Sequence, residues 1–144
     1  MRQIHNELLW TGNARDARDV QSMFDSGISA VVDLAYEELP AQLPRQLVYC
    51  RFPIVDGAGN DPALLRLALS TTVELLRAET RTLVACSAGM SRSPTIAICA
   101  VAVHLGQSPE SLLTLLNEKM ALELHGELWS DISELAAEML SQGQ

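Results

Sequence analysis

The chain reads as an α/β protein: a single domain with a mostly parallel central sheet flanked by helices on both faces. Two observations predict this. Short, apolar, partly β-branched runs alternate with longer segments of helical periodicity, the pattern of strands joined by crossover helices. The 144 residues are 48% hydrophobic and only 19% charged, which excludes disorder and suffices for one core. A chain of this size buries about 70% of its unfolded surface without help from metal or disulfide.

Each element follows in order. Ile4 and Leu8-Leu9-Trp10 suggest a small hairpin or edge strand, and Ala14 to Ser26 a helix capped by Asn13 and stopped by Gly27. Ile28 to Leu34 and Leu47 to Pro53 are strands. Pro62 to Ala78 is a helix: Asp61 is suited to its N-cap, Pro62 to its first position, and Leu65, Leu69, Val73 and Leu76 share one face. Thr82 to Cys86 forms a strand, and a helix from about Arg92 to Leu105 is closed by Gly106. Ser108-Pro109-Glu110 opens another helix with Leu112, Leu113, Leu115, Leu116 and Met120 apolar, and a last helix runs from about Glu127 to Leu140. No internal repeat, linker or low-complexity tract interrupts this order, so residues 1–144 form one expected domain.

Charge and cysteine usage narrow the function classes. Eighteen acidic against ten basic residues give a net charge of −8, and no basic cluster offsets it. Nucleic acid and anionic membranes are therefore not expected partners. The uncharged stretch Ser93 to Gln107 carries Pro94 and His104 and is too short to span a bilayer. An odd number of cysteines, three, without a secretory leader points to a reducing, cytoplasmic setting, with a monomer expected. His5, His104 and His125 lack metal-ligand spacing, so no metal site and no cofactor are expected.

The chemistry concentrates in Cys86-Ser87-Ala88-Gly89-Met90-Ser91-Arg92-Ser93, at a strand-to-helix turn. A helix start offers unpaired N–H groups and about half a positive charge, which favours an anion, thiolate or phosphate. Cys86 is a candidate nucleophile. Gly89 supplies the backbone freedom a loop of inward-pointing amides needs. Arg92 offers a planar fork for two phosphoryl oxygens, and Ser93 can donate a hydrogen bond to the sulfur. Ser87 to Arg92 are then the expected substrate-binding positions.

Cys-x5-Arg followed by Ser resembles the signature loop of the cysteine-dependent protein tyrosine phosphatase superfamily, and Ala-Gly-Met-Ser-Arg-Ser-Pro-Thr is similar to its dual-specificity branch. Leu9 to Ala14, Gly27 to Leu34 and Phe52 to Asp56 are also similar to family segments, so the resemblance runs from about Leu9 to about Lys119. It implies a protein tyrosine phosphatase-like fold and a catalytic domain of the dual-specificity type over residues 1–144. It also implies phosphomonoester hydrolysis through a cysteinyl-phosphate, with a phosphorylated protein as partner.

Asp56, 30 positions before Cys86, is the implied general acid, in a loop that Gly57 and Gly59 make flexible. Asp61 is the rival, with N-capping as its sufficient structural reason. One departure stands out: Ala85 occupies the place where the family usually has His, which leaves the sulfur without that neighbour and predicts weakened or pH-shifted activity. A phosphate-binding interaction module of low turnover is therefore an alternative. So is action on a phosphoinositide or RNA 5′-triphosphate, although Ser87, Ala88 and Met90 are neutral where phosphoinositide-directed relatives carry lysine. Low-molecular-weight phosphatases and arsenate reductases place the same motif near the N-terminus, unlike this chain.

Cys99 is expected to be packed core. Cys50 is read as core, or as a partner for Cys86 under oxidation. Asp33 is expected at a strand end and Glu37-Glu38 on a solvated loop.

Overall fold

A computed structural model describes residues 1–143. Five strands, β1 (Arg2–His5), β2 (Leu9–Gly12), β3 (Ala30–Ala35), β4 (Val48–Ile54) and β5 (Thr82–Ala85), form one sheet in the order β1-β2-β5-β3-β4. The first two pair antiparallel as a hairpin, and every other neighbouring pair is parallel. The sheet is therefore mixed, its antiparallel part confined to one edge. The catalytic-strand candidate β5 is central, between β2 and β3.

Alternation along the strands sends side chains to two cores. Leu9, Val32, Leu34, Val84 and Cys86 join the larger one, beneath α2 (Pro62–Arg77), α3 (Arg92–Leu105), α4 (Pro109–Asn117) and α5 (Gly126–Ser141). Trp10, Val31, Leu83 and Ala85 join the smaller one, covered by α1 (Val20–Asp25), the 3-10 turn Asp16–Arg18 and the segment carrying Leu43 and Leu47. Helices do lie on both faces, but unequally. The α2 face read from sequence is buried: Leu65, Leu69, Val73 and Leu76 are at most 3% exposed, each such side chain contributing about 1.5–3 kcal/mol. From Arg92 to Val103 every residue of α3 is buried, which fits its continuous apolar run and places it as the central helix.

Two expectations are corrected. The single helix over Ala14 to Ser26 is instead a 3-10 turn followed by the short α1. Asn13 and Asp16 exchange backbone-to-side-chain hydrogen bonds at 2.9 Å each, and Asp19 then caps a fresh helix by accepting from Ser22 N at 3.2 Å. Local carboxylate and amide bonds compete with the helix ladder at both places. The second concerns Cys50, read as core: it is half-buried and outside both cores, and its alternative reading as a redox partner of Cys86 also fails. Cys50 lies opposite Val32, itself opposite Val84. Two strand spacings of about 4.8 Å plus two residues along β5 exceed the roughly 7 Å that a disulfide can bridge.

Candidate active site

The turn after β5 is held against the end of β2. Cys86 N donates to Gly12 O at 3.2 Å, and Ala14 N to Ser87 O at 3.1 Å. Gly89 has φ +77°, and a Cβ there would meet the Gly12 carbonyl carbon at 3.0 Å and Asn13 N at 3.1 Å. Only glycine fits that backbone and that approach. Bent this way, the loop points Gly89 N at the sulfur of Cys86, 3.2 Å away. Ser93 Oγ lies 3.3 Å from the same sulfur and within 3.4 Å of Gly12 O. Cys86 is 2% exposed.

Ser91 precedes α3 but makes no side-chain cap to it, which leaves the first amides of the helix open to an anion. Its hydroxyl instead donates to Asp56 Oδ1 at 2.7 Å and accepts from His125 N at 2.9 Å. A short relay therefore joins the phosphate loop, the acid loop and the segment before α5. Glu123 N adds a second tie, donating to Met90 O at 3.2 Å.

Arg92 shows how the fold aims a guanidinium. Its Nη1 and Nη2 donate to the two carboxylate oxygens of Glu37 at 2.6 and 2.8 Å, and Nη1 also donates to Ile54 O at 2.8 Å. Of the five N–H donors of an arginine, these use three and leave Nε–H and one Nη2–H together on one edge. That edge matches two oxygens of a phosphoryl group. The ion pair holds the Glu37 carboxyl down at about 2 from an ordinary 4.5, the Arg92 hydrogen bond being the main cause. Glu37 is thus not a solvated bystander, and Glu38 accepts from Ser87 Oγ at 3.2 Å. Asp33, unlike the exposed Glu37, is buried, accepting from Tyr49 Oη at 2.5 Å and from Ala35 N at 3.1 Å.

Asp56, Cys86, Ala88, Met90, Ser91, Arg92 and Glu123 line one cavity of about 170 Å³. The structure therefore gathers most of the residues read from sequence. Ser93 lies buried beneath the sulfur, Ser87 turns toward Glu38, and Gly89 faces a separate cavity with Gly12 and Asn13. Asp61 stays at the start of α2, accepting from Ala63 N at 3.0 Å. Asn60 shapes the acid loop: it accepts from Val55 N and donates to Val55 O, both at 2.9 Å, and donates to Gly57 O at 3.2 Å. The glycine-rich loop is braced rather than loose. Ala85 is 1% exposed and lies opposite Asp33, on the face away from Cys86. Burial pushes the Cys99 thiol up, as suits a packed side chain.

The fold is that of the cysteine-dependent phosphatases of the dual-specificity branch. The chain superposes on human DUSP28 with a TM-score of 0.84 at 20% identity, covering 99% of each chain. It superposes on the human tyrosine phosphatase-like serine/threonine/tyrosine-interacting protein with a TM-score of 0.82 at 18% identity, covering 97% of each. PTPMT1 in complex with PI(5)P gives a TM-score of 0.71 at 14% identity, covering 96% of each. No family model and no curated protein sequence matches the chain.

Proposed function

We propose that the chain is a phosphomonoesterase of the dual-specificity type that works through a cysteinyl-phosphate. The observation that carries this reading is that Cys86, Arg92 and Asp56, from three separate elements, face one cavity. Cys86, as thiolate, attacks phosphorus in line: the S–P bond forms as the P–O bond to the leaving group breaks. The Asp56 carboxyl gives its proton to the leaving oxygen, releasing an alcohol or phenol. Loop amides and the free edge of Arg92 hold the equatorial oxygens throughout. Asp56 then takes a proton from water as its oxygen attacks phosphorus, and the S–P bond breaks. The electron pair returns to the sulfur, which the Ser93 hydroxyl and Gly89 N–H are placed to steady at 3.3 and 3.2 Å. Charge is handled by these groups at each step, so the scheme calls for no metal or cofactor.

The substrate in this reading is a phosphorylated protein bearing phosphotyrosine or phosphoserine/threonine. Neutral Ser87, Ala88 and Met90 and the net charge of −8 support it over polyphosphorylated lipid or RNA. A monomer acting in the cytoplasm completes the reading; no helix among the described residues is long and apolar enough to cross a membrane. A second reading, a phosphate-binding module of low turnover, is favoured by Ala85, whose methyl group offers the loop no hydrogen bond.

The two are separated by one assay. The purified chain is expected to hydrolyse an aryl phosphate without added metal and to be blocked by vanadate, and Cys86→Ser to lose turnover while still binding phosphate. Phosphate binding without turnover by the wild type would establish the second reading. Turnover surviving in Cys86→Ser would overturn the mechanism.

A further inference from the structure

The carboxylates around the cavity are not equivalent. Glu37 is committed to Arg92, Glu38 accepts from Ser87, and Asp56 accepts from Ser91. Glu123 also lines the cavity, yet its carboxylate has no ion pair among the described residues. Its position is nevertheless fixed. Glu123 N is tied to Met90 O at 3.2 Å, and two residues on His125 N is tied to Ser91 Oγ at 2.9 Å. The backbone therefore pins an exposed, unpaired negative charge on the wall of a cavity of about 170 Å³ whose one cation, Arg92, is already neutralised from behind by Glu37. A phosphoryl group can still be held by the loop amides and the Arg92 edge. A second anion beside it would meet Glu123, whereas a cation there would find a partner.

We propose that Glu123 is a specificity-determining residue of this site, selecting phosphorylated peptides with lysine or arginine next to the phosphorylated residue and turning away those with acidic neighbours. This rests on the phosphatase reading above. The contact is a rim charge, so its contribution should be modest and sensitive to salt.

The test is a set of phosphotyrosine peptides identical except for Arg, Ala or Glu flanking the phosphotyrosine. Their kcat/KM is measured at low and high salt and normalised in each protein to an aryl phosphate. The wild type is expected to rank Arg above Ala above Glu, with Arg about fivefold over Ala at low salt, shrinking as salt rises. Glu123→Gln should flatten the ranking and Glu123→Lys should reverse it. An unchanged ranking in Glu123→Lys would overturn the proposal, as would a wild-type preference for acidic peptides or for phosphoinositide vesicles. If no protein turns over even the aryl phosphate, the phosphatase reading fails separately. Equilibrium binding of the same peptides to the Cys86→Ser protein then decides the proposal: the same ranking, reversed by Glu123→Lys, upholds it, and equal binding overturns it.

Discussion

Cys86 and Arg92 are 2% and 5% exposed and are fixed by a strand end and a helix start, whereas Asp56 and Glu123 stand exposed on loops, each residue meeting the inner wall through one hydrogen bond. The inner wall of the cavity comes from within one run of eight residues, tied from below by Cys86 N to Gly12 O and by Ala14 N to Ser87 O. The outer wall comes from the segments around residues 56 and 123, which meet the inner wall only after folding, while Glu37 bonds Arg92 from behind. The difference assigns different work to each. A wall that must present several amides to one anion is built where covalent geometry sets the spacing, and a wall that must give and take a proton is built where loops can adjust.

The largest effect should come from the outer wall's acid. Asp56→Asn is expected to cut kcat by about a hundredfold or more for substrates with poor leaving groups, the usual scale of general acid catalysis. Asp61→Asn, which touches only the α2 cap, should leave kcat close to wild type, because asparagine caps nearly as well. Steady-state kinetics on an alkyl phosphate check the pair. Equal losses in both would remove Asp56 from the chemistry and make the two walls alike.

This contrast also explains what could be read from sequence. Cys86 to Ser93 was legible because its spacing, glycine and flanking strand and helix are all local. Asp56 was legible by resemblance, and Asp61 by the Pro62 that follows it. Glu37 was not, because an exposed acid between Tyr36 and Leu39 has no periodicity to mark it, and its partner lies 55 residues away. Glu123 and His125 escaped for the same reason, being placed by backbone bonds to Met90 and Ser91. The strands and α2 followed from apolar patterning, and α3 from its continuous apolar run ended by Gly106. The stretch after Asn13 did not, because Asp16 and Asp19 bond to nearby backbone in ways that interrupt a helix.

The inner wall is best probed at Gly89. Gly89→Ala puts a Cβ 3.0 Å from the Gly12 backbone at a φ of +77°. Backbone is on the other side, so nothing flexible can yield. A cost of about 1–3 kcal/mol is expected, as for other strained backbone positions. It should appear as a lowered Tm and as roughly tenfold or greater loss of phosphate or vanadate affinity if the strain is relieved by opening the loop. Calorimetry with and without vanadate measures both. Unchanged Tm and affinity would mean that the close fit to Gly12 is not what shapes the loop.

The smallest effect lies behind the inner wall. Glu37→Gln keeps an oxygen and a nitrogen near Arg92 but removes the charge and one of the two acceptor oxygens. Arg92 remains anchored by Ile54 O. The guanidinium should lose orientation rather than place, giving a several-fold fall in kcat/KM that a disordered loop would exceed. Its pH signature is specific. The folded-state carboxyl sits at about 2 against an ordinary 4.5, so the stabilisation it brings is complete above about 4.5 and is lost as pH falls toward 2. The Tm of the wild type should therefore exceed that of Glu37→Gln near neutral pH, with the gap closing across that acid window. A gap that persists at the acid end would show that Glu37 contributes by packing rather than by its charge on Arg92.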